Sequence, residues 1–310
     1  EGEGTDRILI FEDADGNGSF ETRKIFADGI NLASGIEVGF GGVFVGAAPY
    51  LYFFPDADRD DVPDGEPEVL LDGWGFHDTH ETLNSFTWGP DGWLYGVHGV
   101  FTYSKVGKPG AADENRQDLN AGVWRYHPTK DEFEVFAFGT SNSWGVDFNE
   151  NGDFFISACV IPHFYNMIQG GRYIRQGRAS HFNPYIFESI DTIADHQHYT
   201  GAIQEHAFWN ENKALRPLAP TDTSALGGGH AHAGLALYQA DTFPENYRGE
   251  AFFHNLHGHR IIREALNLDG SGYTAQHRPG FMFTNDHDFI GVGVMQGPDG
   301  AIYLSDWHDA

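Results

Sequence analysis

The sequence predicts an all-β chain folded as a β-propeller of about six four-stranded blades, and three observations lead there. Short β-branched and aromatic runs take the place of helix-length periodicity, a hairpin unit with a Gly/Asp/Asn turn recurs along the chain, and 40 glycines in 310 residues supply tight turns throughout. In chain order, Arg7-Ile8-Leu9-Ile10-Phe11, Gly42-Val43-Phe44-Val45, Tyr50-Leu51-Tyr52-Phe53-Phe54, Gly122-Val123-Trp124-Arg125-Tyr126 and Phe133-Glu134-Val135-Phe136-Ala137-Phe138 read as strands. Helical turns are expected only near Pro244 to Tyr247 and in part of 185–215. The recurring hairpin is clearest at 86–95, 145–156 and 292–304, with weaker copies around Gly41-Gly42 and Tyr247-Arg248-Gly249. Its turn glycines at 42, 92, 152, 249 and 300 are spaced by 50, 60, 97 and 51 residues, near the roughly 40–50 residue period of propeller blades. The widest interval predicts an extra blade or a long insertion around 160–228. Each hairpin is expected to form the two inner strands of a blade. Residues 7–28 then look like outer strands without inner ones and 290–305 like the reverse, so the two ends are expected to complete one blade within a single domain, 1–310. A β-sandwich is the competing fold, disfavoured by the regular Gly-Pro-Asp-Gly-type turns.

Charge narrows the function classes. Eighteen Lys+Arg against 45 Asp+Glu give a formal charge of −27, a field that repels phosphate backbones and anionic membrane surfaces, so nucleic acid is excluded as a partner. No run approaches the roughly 18 apolar residues of a membrane helix, and direct membrane insertion is not expected. Glu1-Gly2-Glu3-Gly4 lacks signal character, so any export signal is expected outside these residues. The single cysteine, Cys159, rules out an internal disulfide and a Cys-built zinc, iron–sulfur or haem site within the chain.

Seventeen histidines carry the chemical interest. In a propeller, residues just before each first inner strand and just after each second one surround one mouth of the central channel. Asp78, His80 and Glu81, Asn142, His230 and His232, and Asp286 with His287 fall before first strands; His98, His163, His254, His257, His259 and His308 fall after second strands. Imidazoles converging beside carboxylates suit general base catalysis or metal ligation, and spacing alone does not separate the two. His230 and His232 alternate by two, as a chelating pair on a strand must, which makes a transition metal one expectation. His80 beside Asp78 and Glu81 has the makings of a base whose tautomer a carboxylate fixes. Two acidic loops stand apart: Asp13, Asp15 and Asn17, and Asp56, Asp58 and Asp60, alternate oxygen ligands as calcium loops do, with Glu21 or Asp64 at the ninth position. Lys24 and Pro67 replace the twelfth-position glutamate of an EF-hand, so the loops are either another kind of calcium site or plain Asx turns. The mouth tryptophans could stack on sugar rings, although packing between blades is the better expectation for most of them.

Several stretches together resemble a known family. They are Asp78 to Gly92 (DTHETLNSFTWGPDG), Gly229 to Leu235 (GHAHAGL), Phe243 to Gly249 (FPENYRG) with His257-Gly258-His259-Arg260-Ile261, and Gly297 to Trp307 (GPDGAIYLSDW). They look like the membrane-bound dehydrogenases of planctomycetes, propellers distantly similar to the soluble glucose and sorbosone dehydrogenases that use pyrroloquinoline quinone. The resemblance spans nearly the whole chain. It implies the quinone (PQQ) and calcium at the mouth, a histidine that takes the proton as a sugar or alcohol gives up hydride, and a cytochrome as electron acceptor. His80, nine residues before Gly89, matches that histidine's place, and Ser141-Asn142 matches the family's cofactor-contacting Arg-Asn step at the asparagine only. Arg260 or Arg263, with His257, is expected to stand in for the missing arginine. The expected function is an exported bacterial dehydrogenase, periplasmic or extracellular, acting on a carbohydrate or alcohol. A metal-dependent hydrolase or lyase on the same propeller and a calcium-stabilised module binding glycan or protein are the alternatives.

Overall fold

The computed structural model describes residues 4–159, 162–176, 189–194, 231–256, 260–284, 286 and 288–307. These form a β-propeller of strands β1 to β22, and no α-helix is found among them. The first complete blade is β3 (Ala33–Gly39), β4 (Gly42–Ala47), β5 (Tyr50–Pro55) and β6 (Glu68–Asp72), paired antiparallel in that order. The second runs β7 (Asn84–Trp88), β8 (Leu94–His98), β11 (Gly122–His127) and β12 (Glu132–Thr140). Between β8 and β11 the chain leaves the sheet to make a small hairpin, β9 (Ser104–Val106) with β10 (Gln117–Leu119). The third blade has β13 (Asn142–Phe148), β14 (Phe154–Cys159) and β15 (Phe164–Met167). The chain then sends β16 (Arg172–Arg175) back to add a parallel fifth strand to the second blade. The fourth is β17 (His232–Leu237), β18 (Glu250–Asn255), β19 (Arg260–Asp269) and β20 (Gly272–Phe283), and the last inner hairpin is β21 (Gly291–Gln296) with β22 (Ile302–Asp306).

The hairpins expected at 86–95, 145–156 and 292–304 are thus β7–β8, β13–β14 and β21–β22, and the weaker copies are β3–β4 and β17–β18. Their first strands, β3, β7, β13, β17 and β21, stand side by side in chain order. Of the span 160–228 read as an insertion, 162–176 carries β15 and β16 and 189–194 makes isolated bridges to them; the rest lies outside the described residues. Among the described residues the two ends do not pair with each other. β1 (Asp6–Glu12) and β2 (Thr22–Ile30) form their own two-stranded sheet, as do β21 and β22.

The core lies between sheets, as it must when each sheet buries both faces against its neighbours. Phe44, Leu51 and Leu71 of the first blade meet Phe86, Leu94 and Trp124 of the second. Tyr95, Val97 and Phe136 of the second meet Val146, Phe154 and Ile156 of the third, and Phe155 and Phe164 of the third meet Leu235, Phe253 and Ile262 of the fourth. Ile8, Phe26 and Ile30 lay the β1–β2 ribbon on the first blade. Trp124 has no exposed surface; its replacement by Ala would cost about 3–5 kcal/mol.

Every innermost strand carries one extra residue near its mouth end. The register slips between Ala33 and Gly35, Asn84 and Thr87, Ser143 and Val146, Ala233 and Ala236, and Gly291 and Gly293. Such bulges bend a strand and re-aim its side chains, so all five strands turn at the same height. Glycine permits it where backbones nearly touch: a Cβ on Gly145 (φ +138°) would lie 2.6 Å from the carbonyl carbon of Gly234, and one on Gly234 (φ +69°) would lie 2.8 Å from Val292 O.

Candidate active site at the channel mouth

The strand starts Asn84, Asn142, His232 and Gly291 oppose the strand ends Val97, Cys159, Asn255 and Asp306, and together they define the mouth. Before β7 the chain makes a turn in which Asp78 Oδ1 accepts the His80 backbone N–H at 3.0 Å and contacts His80 Nδ1 at 2.9 Å. Held that way, Nδ1 carries the proton and Nε2 is the basic nitrogen. The His80 side chain is 61% exposed. Its ring lies 5.3 Å from that of Trp307, which runs nearly parallel to Trp144 at 6.3 Å. The turn is braced by the excursion between β8 and β11, where Thr102 Oγ1 accepts the Asp78 N–H and donates to Asp78 O.

Glu81, the next residue, points the other way. It is buried, and its two oxygens accept the Val100 N–H at 3.0 Å and the Phe101 N–H at 2.7 Å. Burial is the largest influence on it and pushes its pKa up to about 7, against the pull of the Phe101 N–H and with help from the Asp78 charge. Asn142 Oδ1 reaches the same Val100 N–H at 3.3 Å. Behind Asn142, its strand partner Cys159 donates to His232 O at 2.8 Å, and burial above all drives the thiol up to about 12, so it is no nucleophile.

Asp78, His80, Glu81 and Asn142 therefore come together at the mouth, and His232 begins β17 beside them, bonded through its carbonyl to Cys159. His230 and His257 lie outside the described residues. His232 is fully buried, with its ring stacked on that of His163 at 4.1 Å. Arg260 heads β19 at the mouth end, opposite Asn255, and is buried. Arg263 lies further along the strand, bonded to Glu250 at 2.6 Å and 4.2 Å over the Tyr247 ring. His98 and His254 are placed at the strand ends as expected, but both are turned inward. His98 contacts Gly99 O and Ser104 Oγ, His254 contacts Gly293 O, and burial pulls each down to about 4. They are neutral packing groups.

Three features of the mouth escape sequence reasoning. Arg175 arrives on β16, beside Thr140, and its guanidinium bonds Asn120 Oδ1 and reaches toward Val100 O. Arg175 and Asn142 thus meet opposite ends of the same residue, Arg175 reaching Val100 O and Asn142 Oδ1 the Val100 N–H, and a cation and an amide so placed could hold an anionic cofactor. Glu264 Oε1 sits 2.9 Å from His163 Nε2 and 2.8 Å from His277 Nδ1. Burial would raise the Glu264 pKa, but the two imidazoles outweigh it and keep the carboxylate below its ordinary value. The third feature is the Trp144–Trp307 pair. The last two join residues from different blades, and Arg175 reaches the second blade by a crossover from beyond the third; no local pattern signals such meetings.

The acidic loops occupy the other end of the blades. Asp56 N donates to Gly41 O in the β3–β4 turn, and Lys24 Nζ bridges to Asp61 at 2.5 Å. Among the described residues, ligand atoms of Asp13, Asp15 and Glu21, and of Asp56, Asp58 and Asp60, gather within 4.8 Å of one another. An ion in either would be remote from the mouth, and so structural.

The described residues contain no helix long and apolar enough to cross a membrane. The fold is shared with known sugar dehydrogenases. The PQQ-bound aldose sugar dehydrogenase of Streptomyces coelicolor matches at 14% identity over 93% of this chain and 78% of that one, TM-score 0.52. The calcium structure of a Trichoderma reesei carbohydrate-active enzyme of family AA12 matches at 13% over 98% and 86%, TM-score 0.56, and the apo soluble aldose sugar dehydrogenase of Escherichia coli at 14% over 87% and 72%, TM-score 0.51. At such identities the likeness is one of fold. No curated protein matches the chain. The chain itself belongs to the DUF7133 family, described as a domain of unknown function, whose profile covers residues 1–310.

Proposed function

We propose that the chain is a dehydrogenase of the quinoprotein kind that oxidises a carbohydrate or alcohol at the channel mouth, with His80 as general base. The carrying observation is the Asp78–His80 pair, 2.9 Å apart at the rim, in which one carboxylate orients the turn and the ring together. Oxidation of a C–OH group to C=O releases a proton from oxygen and a hydride from carbon. His80 Nε2 takes the proton, and Asp78 stabilises the imidazolium that forms. Arg175 and Asn142 would hold pyrroloquinoline quinone, which when bound would supply the two-electron acceptor for the hydride. Glu81 keeps the Val100–Phe101 segment against the mouth by accepting both N–H groups. Asp13, Asp15 and Asn17, and Asp56, Asp58 and Asp60, would hold calcium ions that would stabilise the turn end. The motif resemblance supports kinship with the planctomycete membrane-bound dehydrogenases, an exported bacterial protein and a cytochrome as the next electron carrier.

Reconstitution with pyrroloquinoline quinone and calcium tests the reading: substrate-dependent reduction of an artificial dye is expected across a panel of aldoses, alcohols and uronates, and is lost in His80→Gln. If no dye is reduced and a transition metal titrates into His230 and His232, the metal-dependent hydrolase or lyase replaces the dehydrogenase. If neither occurs, the chain is a binding module.

A further inference from the structure

Two of the tryptophans stand apart from the others. Trp74, Trp93 and Trp124 are buried between blades, and Trp88 donates its indole N–H to Val38 O. Trp144 and Trp307 are half-buried at the mouth, 18° from parallel, and Trp307 touches the His80 ring. They come from the third blade and the last hairpin, while His80 comes from the second. Their backbones are pinned: Trp144 O accepts Ser157 Oγ at 2.6 Å, and Trp307 N donates to Ile290 O at 2.8 Å. The bulge at Ser143/Val146 falls on Trp144 itself. A pair of indoles placed by backbone bonds and left open to solvent is costly as mere packing, because the same area would be better buried.

We infer that the Trp144–Trp307 pair is a stacking platform for the ring of a neutral pyranose, holding it with an O–H against His80. The inference rests on the dehydrogenase reading for the chemistry and goes beyond it in naming the substrate class and the residues that select it. The C–H face of a pyranose lies flat on an indole, while its hydroxyl edge meets the polar groups at the rim, Asp78, His80 and Asn142. An open-chain polyol has no such face. A uronate has the face but carries a charge that the carboxylates Asp78 and Asp306 and the net −27 oppose.

Binding separates this from catalysis. Methyl glycosides of glucose, galactose, mannose and xylose, with glucuronate and sorbitol, are titrated against the protein and read by tryptophan fluorescence and saturation-transfer NMR, without added cofactor. At least one neutral pyranoside is expected to bind 10-fold or more tighter than sorbitol and glucuronate. Trp307→Ala should weaken it at least 10-fold, and Trp307→Phe, which keeps an aromatic face and the fold, less than about 3-fold. Sorbitol or glucuronate binding as well as every pyranoside, no pyranoside binding at all, or equal loss in Trp307→Phe and Trp307→Ala would overturn the platform. Pyranoside binding that obeys this pattern while reconstituted protein reduces no dye would retain the platform and remove the dehydrogenase.

Discussion

At the turn end of the blades the carboxylates are exposed and tied to their own loops: Asp13 accepts the N–H groups of Gly16, Asn17 and Gly18, and Asp56 accepts that of Asp60. At the mouth end Glu81 is buried, and its partners, Val100 and Phe101, lie 19 and 20 residues away. The same functional group, a carboxylate, thus meets two environments within one set of strands. Exposed and locally bonded, Asp13 is held below its ordinary pKa: the Gly18 N–H leads the downward shift, with those of Asn17 and Gly16 behind it, against the smaller upward push of burial. Buried and bonded across the fold, Glu81 resists ionisation. Under the proposed function, the comparison puts the chemistry at the mouth and ion-dependent stability at the turns.

The largest test exchanges one group at each end. His80→Gln should lower turnover by about 10²–10⁴ with an unchanged melting temperature, since a positioned base contributes that much. Asp56→Asn should leave turnover unaltered. Steady-state kinetics on both variants breaks the assignment if Asp56→Asn is the slower enzyme.

The next effect is a pH dependence confined to the mouth. Glu81 has a folded pKa of about 7 against an ordinary 4.5, so between these values the folded state holds a proton that the unfolded state has lost. Its contribution to stability is full below pH 4.5 and is lost as pH rises through 7. His98 and His254, pulled to about 4, work the opposite way: their contribution is full above pH 6.5 and is lost as pH falls toward 4. Wild type alone mixes the two. The difference between wild type and Glu81→Gln isolates the carboxylate and should fall by roughly 1.4 kcal/mol per pH unit between about pH 5 and 7, flat outside that window. Urea denaturation at four pH values measures it; a flat difference would mean that Glu81 ionises freely in the folded protein.

The two ends also differ in how far the sequence reveals them. The turn end is local: Asp13 to Asn17 and Asp56 to Asp60 are contiguous, and the glycines at 92, 152 and 300 adopt φ near +80° inside single hairpins. Asp78 and His80 are legible for the same reason, two residues apart in one turn. Arg175, Glu264 with His163 and His277, and the Trp144–Trp307 pair are assembled by pairing across blades, and β16 joins the second blade in parallel, a crossover that strand patterns do not encode. Phase along a blade places His98 and His254 at the right height but does not say which way a ring turns. The bulges decide that, and a one-residue slip has no signature in alternation.

Chelation probes the turn end directly. With calcium bound to the Asp13 and Asp56 loops at about 100 times its dissociation constant, each site would add roughly 2.7 kcal/mol. Excess chelator should therefore lower the melting temperature, and Asp56→Asn with Asp60→Asn should remove part of that response. An unchanged melting curve with no metal by elemental analysis would make both loops plain Asx turns.

The smallest effect is ionic strength, and it distinguishes the ends by sign and size. With 45 acidic against 18 basic side chains, the folded state crowds like charges that the unfolded chain spreads apart, most densely where Asp13, Asp15, Asp56, Asp58, Asp60, Asp61 and Asp64 share the turn end. Lys24, bonded to Asp61 and 3.5 Å from Glu12, offsets little of this. Raising salt from about 10 mM to 150 mM shortens the screening length from roughly 30 Å to 8 Å, so the melting temperature should rise by a few degrees. Exposed charges respond; the buried pair of Glu264 with His163 does not, being screened little. The rise should be steepest in chelator, where the loop carboxylates repel unopposed, and shallower with calcium present. Equal slopes with and without chelator would show that no ion neutralises the loops, and a falling slope would show that attractive pairs, rather than repulsion, dominate this surface.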